Sequence, residues 1–201
     1  MHDPSKRLLM KEKEMERTKH IALGVTGSIA AYKACELVRL FIKGGWGVHV
    51  VMTAAATRFV TPLTFRTLSQ NSVYTGIFDE TIDWHPEHIA LADRCDVLVI
   101  APCTANVIAK LANGIADDAL TSLALAYTKP LVIAPAMNVN MFNHAATQSN
   151  LSVLRERGAV VIEPGEGDLA CGTTAKGRLA EPQLIFDEVC RIVDTERNGR
   201  C

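Results

Sequence analysis

The chain has 201 residues, 48% of them hydrophobic, and a formal net charge of −1, which suits one domain with a substantial core. That near-neutral balance carries no electrostatic footprint for nucleic acid, and no stretch approaches the run of about 20 apolar residues that a membrane-spanning helix needs. Six scattered cysteines (Cys35, Cys95, Cys103, Cys171, Cys190 and Cys201) form no C-x-x-C pair, which argues against a zinc ribbon or a dithiol redox motif.

The first 18 residues mix both charge signs and carry no apolar signal segment, so a charged N-terminal tail and a cytoplasmic location are expected. His20–Val25 reads as a first strand, and Ile29–Lys43 as a helix with Leu37, Leu40 and Phe41 on one face. Gly44 and Gly45 end that helix, and Gly47–Met52 is a second strand. A short helix beginning at His88 precedes Asp96–Ala101, a continuous apolar run of the kind a strand covered on both faces shows. Helices follow at Cys103–Ala112 and Asp118–Ala126, then a buried strand at Pro130–Ala134. Thr147–Arg157 is a helix stopped by Gly158, Ala159–Ile162 a last short strand, and Pro182–Val193 a closing helix. This alternation predicts an α/β fold. It is a single-domain doubly wound parallel sheet, a Rossmann-like or flavodoxin-like three-layer sandwich, over residues 19–196, with a short tail at 197–201.

In such sheets ligands sit beyond the carboxyl ends of the strands, and most of the unusual residues fall in those loops. At Thr26–Ile29 the strand turns into a helix, where Gly27 permits close backbone approach and Ser28 offers a hydroxyl beside free N–H groups. A mononucleotide phosphate and a simple capped turn are both open there, since neither G-x-G-x-x-G nor a P-loop is present. Thr104 and Asn106 follow a buried strand, as ligand contacts or as a helix cap. In Pro135–Phe142, Asn138 can hold a carboxylate through its amide or can simply cap a helix. Leu169–Arg178 is rich in small residues and aperiodic, so a mobile loop is expected. In it, Lys176 and Arg178 can bind an anion or lower the pKa of Cys171. His85 and His88 lack the further ligands of a metal site.

Taken together, TGSIAAYK (26–33), HIALAD (88–93), APCTANVIAKLANGIADD (101–118), KPLVIAPAMNVNMF (129–142) and ACG…GRLAEP (170–182) resemble one family. It is the homo-oligomeric flavin-containing cysteine decarboxylases, and the resemblance spans about residues 20–195. It implies FMN as cofactor, contacted by Gly27, Ser28, Ile29, Thr53, Thr104, Ala105, Asn106, Val107, Ala136 and Met137. The implied substrate is phosphopantothenoylcysteine, held by Asn138, Met141, Ala170, Gly172, Lys176 and Arg178. The implied chemistry is oxidation of the cysteine to a thioaldehyde, loss of carbon dioxide, and re-reduction of the enethiolate. His88 and Cys171 would be the proton-transfer groups, and Cys171 marks the reductive, coenzyme A branch rather than the peptide-modifying one. A homotrimer or a dodecamer of trimers, with the flavin between subunits, and a separate phosphopantothenate–cysteine ligase are further implications. Two positions depart from the family pattern. Thr173 stands where Asp is common, and Phe142 where Trp or Tyr is usual. The alternatives are another flavoprotein of the family, such as a peptidyl-cysteine decarboxylase, against which Cys171 and the Asn138 motif weigh, and a non-catalytic flavin-binding regulatory subunit, whose often accompanying acidic tail is missing from ERNGRC.

Overall fold

A computed structural model describes residues 18–76, 87–168 and 174–198. The elements run β1 (His20–Val25), α1 (Ala31–Lys43), β2 (Gly47–Met52), α2 (Pro62–Ser69), β3 (Val73–Tyr74), α3 (Glu87–Arg94) and β4 (Val97–Cys103). They continue with α4 (Ala105–Asn113), α5 (Ala119–Ala126), β5 (Leu131–Pro135), α6 (Val139–Asn143), α7 (Ala145–Glu156), β6 (Val160–Val161), β7 (Gly165–Asp168), β8 (Thr174–Arg178) and α8 (Pro182–Asn198). Six strands form one parallel sheet in the order β3-β2-β1-β4-β5-β6. The order reverses between β1 and β4, which opens a crevice at their carboxyl ends.

Strand side chains alternate between two cores. Ile21, Leu23, Val25, Val97 and Val99 face α1 and α8, whereas Ala22, Leu98, Ile100 and Ile133 face the opposite helical layer. All seven residues of β4 are buried, which explains its unbroken apolar run. α8 returns to the α1 layer, where Phe41 meets Trp46 and Phe186 edge-on at 5.3 and 5.1 Å.

The predicted strands and most helices are present, with four differences. The sequence reading had no elements between Met52 and His85, yet α2 and β3 complete the sheet on that edge. The first helix begins at Ala31 rather than Ile29, because residues 27–30 form a turn. The segment before Arg157 holds two helices, α6 and α7, separated by His144, whose Nδ1 caps α7 by accepting the Ala146 N–H at 3.1 Å. The loop expected at Leu169–Arg178 is in part a strand, since β8 pairs antiparallel with β7 as a hairpin. Residues 169–173 lie outside the described residues.

Candidate active site

The crevice is tied shut at its base by Thr26. This residue is fully buried. Its hydroxyl donates to the Pro102 carbonyl at 2.7 Å and accepts the Thr104 N–H at 3.1 Å. One side chain therefore locks the end of β1 to the end of β4, and the two loops that leave those strands diverge around a cleft. The cleft has a volume of about 550 Å³, within the span of roughly 300–1,000 Å³ usual for small-molecule sites.

Gly27 and Ser28 form one wall. A Cβ on Gly27 would overlap the Cβ of Ala55 in the turn after β2, so a side chain there would push the two loops apart. Thr53 extends the β1–β2 ladder by one bond, its N–H donating to Val25 O at 3.1 Å, and so brings Ala54 and Ala55 to the cleft. Thr104, Ala105, Asn106 and Val107 form the facing wall at the start of α4, with Ala136, Met137 and Met141 beyond them. Ile29 lies beside the turn, 61% exposed, and does not line the cleft.

Capping and ligand contact turn out to be compatible at the hydroxyls. Ser28 Oγ accepts the Ala30 N–H at 3.3 Å, Thr53 Oγ1 the Ala56 N–H at 3.3 Å, and Thr104 Oγ1 the Val107 N–H at 3.4 Å. Accepting those bonds leaves each hydroxyl its own hydrogen to donate. The cleft thus carries three O–H donors among small residues, a lining suited to an oxygen-rich ligand with a flat body.

Sequence reasoning missed Ala54, Ala55, Lys110 and Asp118 as parts of this site, and it held Thr26 only as a member of the Thr26–Ile29 turn, without the role of its hydroxyl. Lys110 and Asp118 both line the cleft. Lys110 Nζ lies 2.6 Å from Asp117 Oδ1 and 3.5 Å from Asp118 Oδ2, and the hydrogen bond with Asp117 raises its pKa above the ordinary value. The cation is therefore matched inside the protein. Asp118 is further fixed as the cap of α5, accepting the Thr121 N–H at 2.8 Å.

Asn138 is the N-cap of α6. Its Oδ1 accepts the Asn140 N–H at 2.8 Å, which fixes which end of the amide is oxygen and which is nitrogen. The preceding residue, Met137, donates its N–H to Gly177 O at 3.0 Å, so the hairpin lies against the Asn138 turn. Gly177 has φ +149°, and a Cβ there would come within 2.5 Å of Met137 O. Only glycine suits that contact. Arg178, half-exposed at the hairpin root, places Nη2 3.5 Å from Glu181 Oε1.

His88 falls in the first turn of α3, whose last residue, Arg94, stands just before the start of β4, where the Asp96 N–H donates to His20 O at 2.8 Å. The side chains of His88 and Lys176 lie outside the described residues, as do Ala170, Cys171 and Gly172. Cys95 and Cys103 are buried, and burial holds the Cys95 thiol up at about 12 and raises that of Cys103 as well, so neither is a nucleophile at neutral pH. No cluster of three metal-binding side chains and no membrane-length apolar helix occurs among the described residues.

Known proteins share both the sequence and the fold. The coenzyme A biosynthesis bifunctional protein CoaBC of Bacillus subtilis is 52% identical over 171 residues, which is 85% of this chain and 42% of that protein. The chain thus spans less than half the length of the bifunctional relatives it matches. The probable phosphopantothenoylcysteine decarboxylase of Streptococcus mutans is 44% identical over 174 residues, covering 86% of this chain and 97% of that one. Among solved structures, a PPC decarboxylase mutant complexed with pantothenoylaminoethenethiol matches with a TM-score of 0.79 at 36% identity, over 86% of this chain and 97% of that one. The FMN-dependent cysteine decarboxylase SpaF matches with a TM-score of 0.75 at 33% identity, over 87% and 97%. The Flavoprotein family profile matches residues 9–194, and the chain belongs to that family.

Proposed function

We propose that this chain is an FMN-dependent decarboxylase that converts phosphopantothenoylcysteine to phosphopantetheine in coenzyme A biosynthesis. The observation that carries the reading is the cleft of about 550 Å³ at the sheet's switch point, with the Asn138 turn and the hairpin root beside it. The residues fit FMN. Gly27 and Ser28 suit the phosphate end, the Thr53 and Thr104 hydroxyls suit polar groups along its length, and Ala105, Val107, Ala136 and Met137 suit a flat apolar ring.

FMN bound there would supply two-electron oxidation of the thiol-bearing carbon and return those electrons at the end. The cysteine carboxylate cannot leave unaided, because the carbanion left behind has no neighbour to accept its electron pair. A thiocarbonyl beta to the carboxylate provides that acceptor. Carbon dioxide then departs with its bonding pair moving toward sulfur, and a hydride equivalent (two electrons with one proton) plus a second proton complete the saturated product.

The protein's own tasks follow. The Asn138 amide nitrogen donates to the substrate carboxylate and orients it, without placing a like charge beside it. His88 moves protons during oxidation and decarboxylation, as an imidazole of near-neutral pKa can. Cys171 supplies the proton for the final reduction, and Lys176 and Arg178 attract the anionic substrate. The reading includes assembly as a homotrimer or a dodecamer of trimers, a cytoplasmic location, and a phosphopantothenate–cysteine ligase as the source of substrate.

Product analysis by mass tests the reading on a panel containing phosphopantothenoylcysteine and cysteine-ending peptides. Wild-type protein should yield phosphopantetheine, and Cys171→Ser should release carbon dioxide but accumulate the enethiol. Preferred turnover of the peptides, or full phosphopantetheine from Cys171→Ser, would reject it.

A further inference from the structure

A charged pair ties the helix behind the Gly27–Ser28 turn to the root of the hairpin. Lys33 stands in the first turn of α1 and is only 7% exposed, which is unusual for an ammonium. Its Nζ donates to both carboxylate oxygens of Glu181, at 3.1 and 3.2 Å. Glu181 lies between the last residue of β8 and the first of α8, and its backbone carbonyl accepts the Ile185 N–H at 3.2 Å. The same carboxylate faces Arg178 Nη2 at 3.5 Å. One residue earlier, Gly177 O receives the Met137 N–H, and Met137 leads directly into Asn138.

These contacts form a continuous chain from α1 to the turn that carries Asn138. Exposed ion pairs do little, but a buried ammonium holds its partner firmly, because losing that partner leaves a charge uncompensated. Glu181 itself is mostly exposed, at 65% of its side chain, so the burial of Lys33 is what fixes the carboxylate rather than the reverse. Once fixed, Glu181 restrains the exit of β8 and the guanidinium of Arg178 together.

The geometry points to Lys33 and Glu181 as positioning residues for substrate binding. They keep the hairpin root seated on Met137, so that the Asn138 amide and Arg178 hold their places beside the cleft. This assignment rests on the reading of Asn138 and Arg178 as substrate contacts. Neither Lys33 nor Glu181 lines the cleft, so neither touches the flavin end of it.

The test combines kinetics with amide hydrogen exchange in the full chain, with and without FMN. Glu181→Gln keeps the shape of the exposed side chain and removes its charge, so the fold survives even where Lys33→Met does not. Glu181→Gln should raise KM by about tenfold or more while kcat and the FMN dissociation constant stay within about twofold. The Met137 amide should exchange at least about tenfold faster, because its bond to Gly177 opens more often. Unchanged Met137 exchange, or an unchanged KM beside a lowered melting temperature, would overturn the assignment. Should the wild-type chain fail to decarboxylate the substrate at all, the functional reading falls. Met137 exchange without cofactor would still decide whether the pair seats the hairpin root.

Discussion

Replacing Thr26 with Val tests whether one hydroxyl ties the base of the switch-point crevice together. The side chains have nearly the same shape, so packing is preserved and the change is confined to two hydrogen bonds. Pro102 and Thr26 are both buried, and the Pro102 carbonyl loses the hydroxyl that donates to it at 2.7 Å. Thr104 is only partly buried and borders the cleft, so its N–H can recover a water. The loss therefore centres on the carbonyl. About 1 kcal/mol for the bond and about 1–3 kcal/mol for an unsatisfied buried group give an expected cost of roughly 2–4 kcal/mol. That is a large share of the total stability of about 5–15 kcal/mol usual for a domain. Urea unfolding of the cofactor-free protein measures it directly, and an FMN titration reports the accompanying loosening of the cleft. Thr26→Ser retains the hydroxyl and should lose only about 1 kcal/mol for the missing methyl. Thr26→Val within about 0.5 kcal/mol of wild type, or a Ser variant as unstable as the Val one, would refute the reasoning.

Gly27→Ala should weaken FMN binding by about tenfold or more, because its Cβ overlaps Ala55 and an overpacked site costs about 1–3 kcal/mol; an unchanged dissociation constant would count against that wall. Stability should fall in acid through His49, whose imidazole is held down at about 4 by burial first, then by the charge of Arg94 and by His20. The folded state keeps His49 neutral while the unfolded chain takes up a proton below about 6.5, so stability is complete above that pH and about 3 kcal/mol is lost as pH drops toward 4. Urea midpoints across that window should flatten in His49→Gln, and a slope as steep as wild type would assign the effect elsewhere. Asn138→Asp should leave the urea midpoint near wild type, since Asp caps a helix as well as Asn does. It should still raise KM at least about tenfold, by setting like charge against the substrate carboxylate; normal kinetics would remove Asn138 from the site.

Much of this architecture was legible because burial on both faces writes itself into sequence. The runs at Val97–Ala101 and Leu131–Ala134 have no polar face, so their strands were plain. β3 was not, because two half-buried residues on a sheet edge leave no periodic signal. The hairpin was missed for a different reason. Glycine-rich Gly165–Asp168 and Thr174–Arg178 lack apolar alternation, and their placement rests on a backbone contact between Gly177 and Met137, 40 positions apart in sequence. Thr26 was visible inside its motif, but nothing in the motif reveals that its hydroxyl reaches Pro102 and Thr104 across the sheet. Lys110 and Asp118 went unnoticed because they look like ordinary solvated charges, and only the folding of α4 against α5 brings them to the cleft wall. The sequence leaves the hydroxyls of Ser28 and Thr104 open as caps or as ligand donors, and their geometry accommodates both roles.

The central claim is that electrons leave the substrate's thiol-bearing carbon at this cleft before its carboxylate departs. Anaerobic rapid mixing of FMN-loaded Cys171→Ser protein with phosphopantothenoylcysteine tests that order, with visible absorbance and released carbon dioxide followed together. The account predicts that the yellow absorbance is lost and stays lost, with about one carbon dioxide released per flavin bleached. Carbon dioxide released while the flavin keeps its full colour would contradict it.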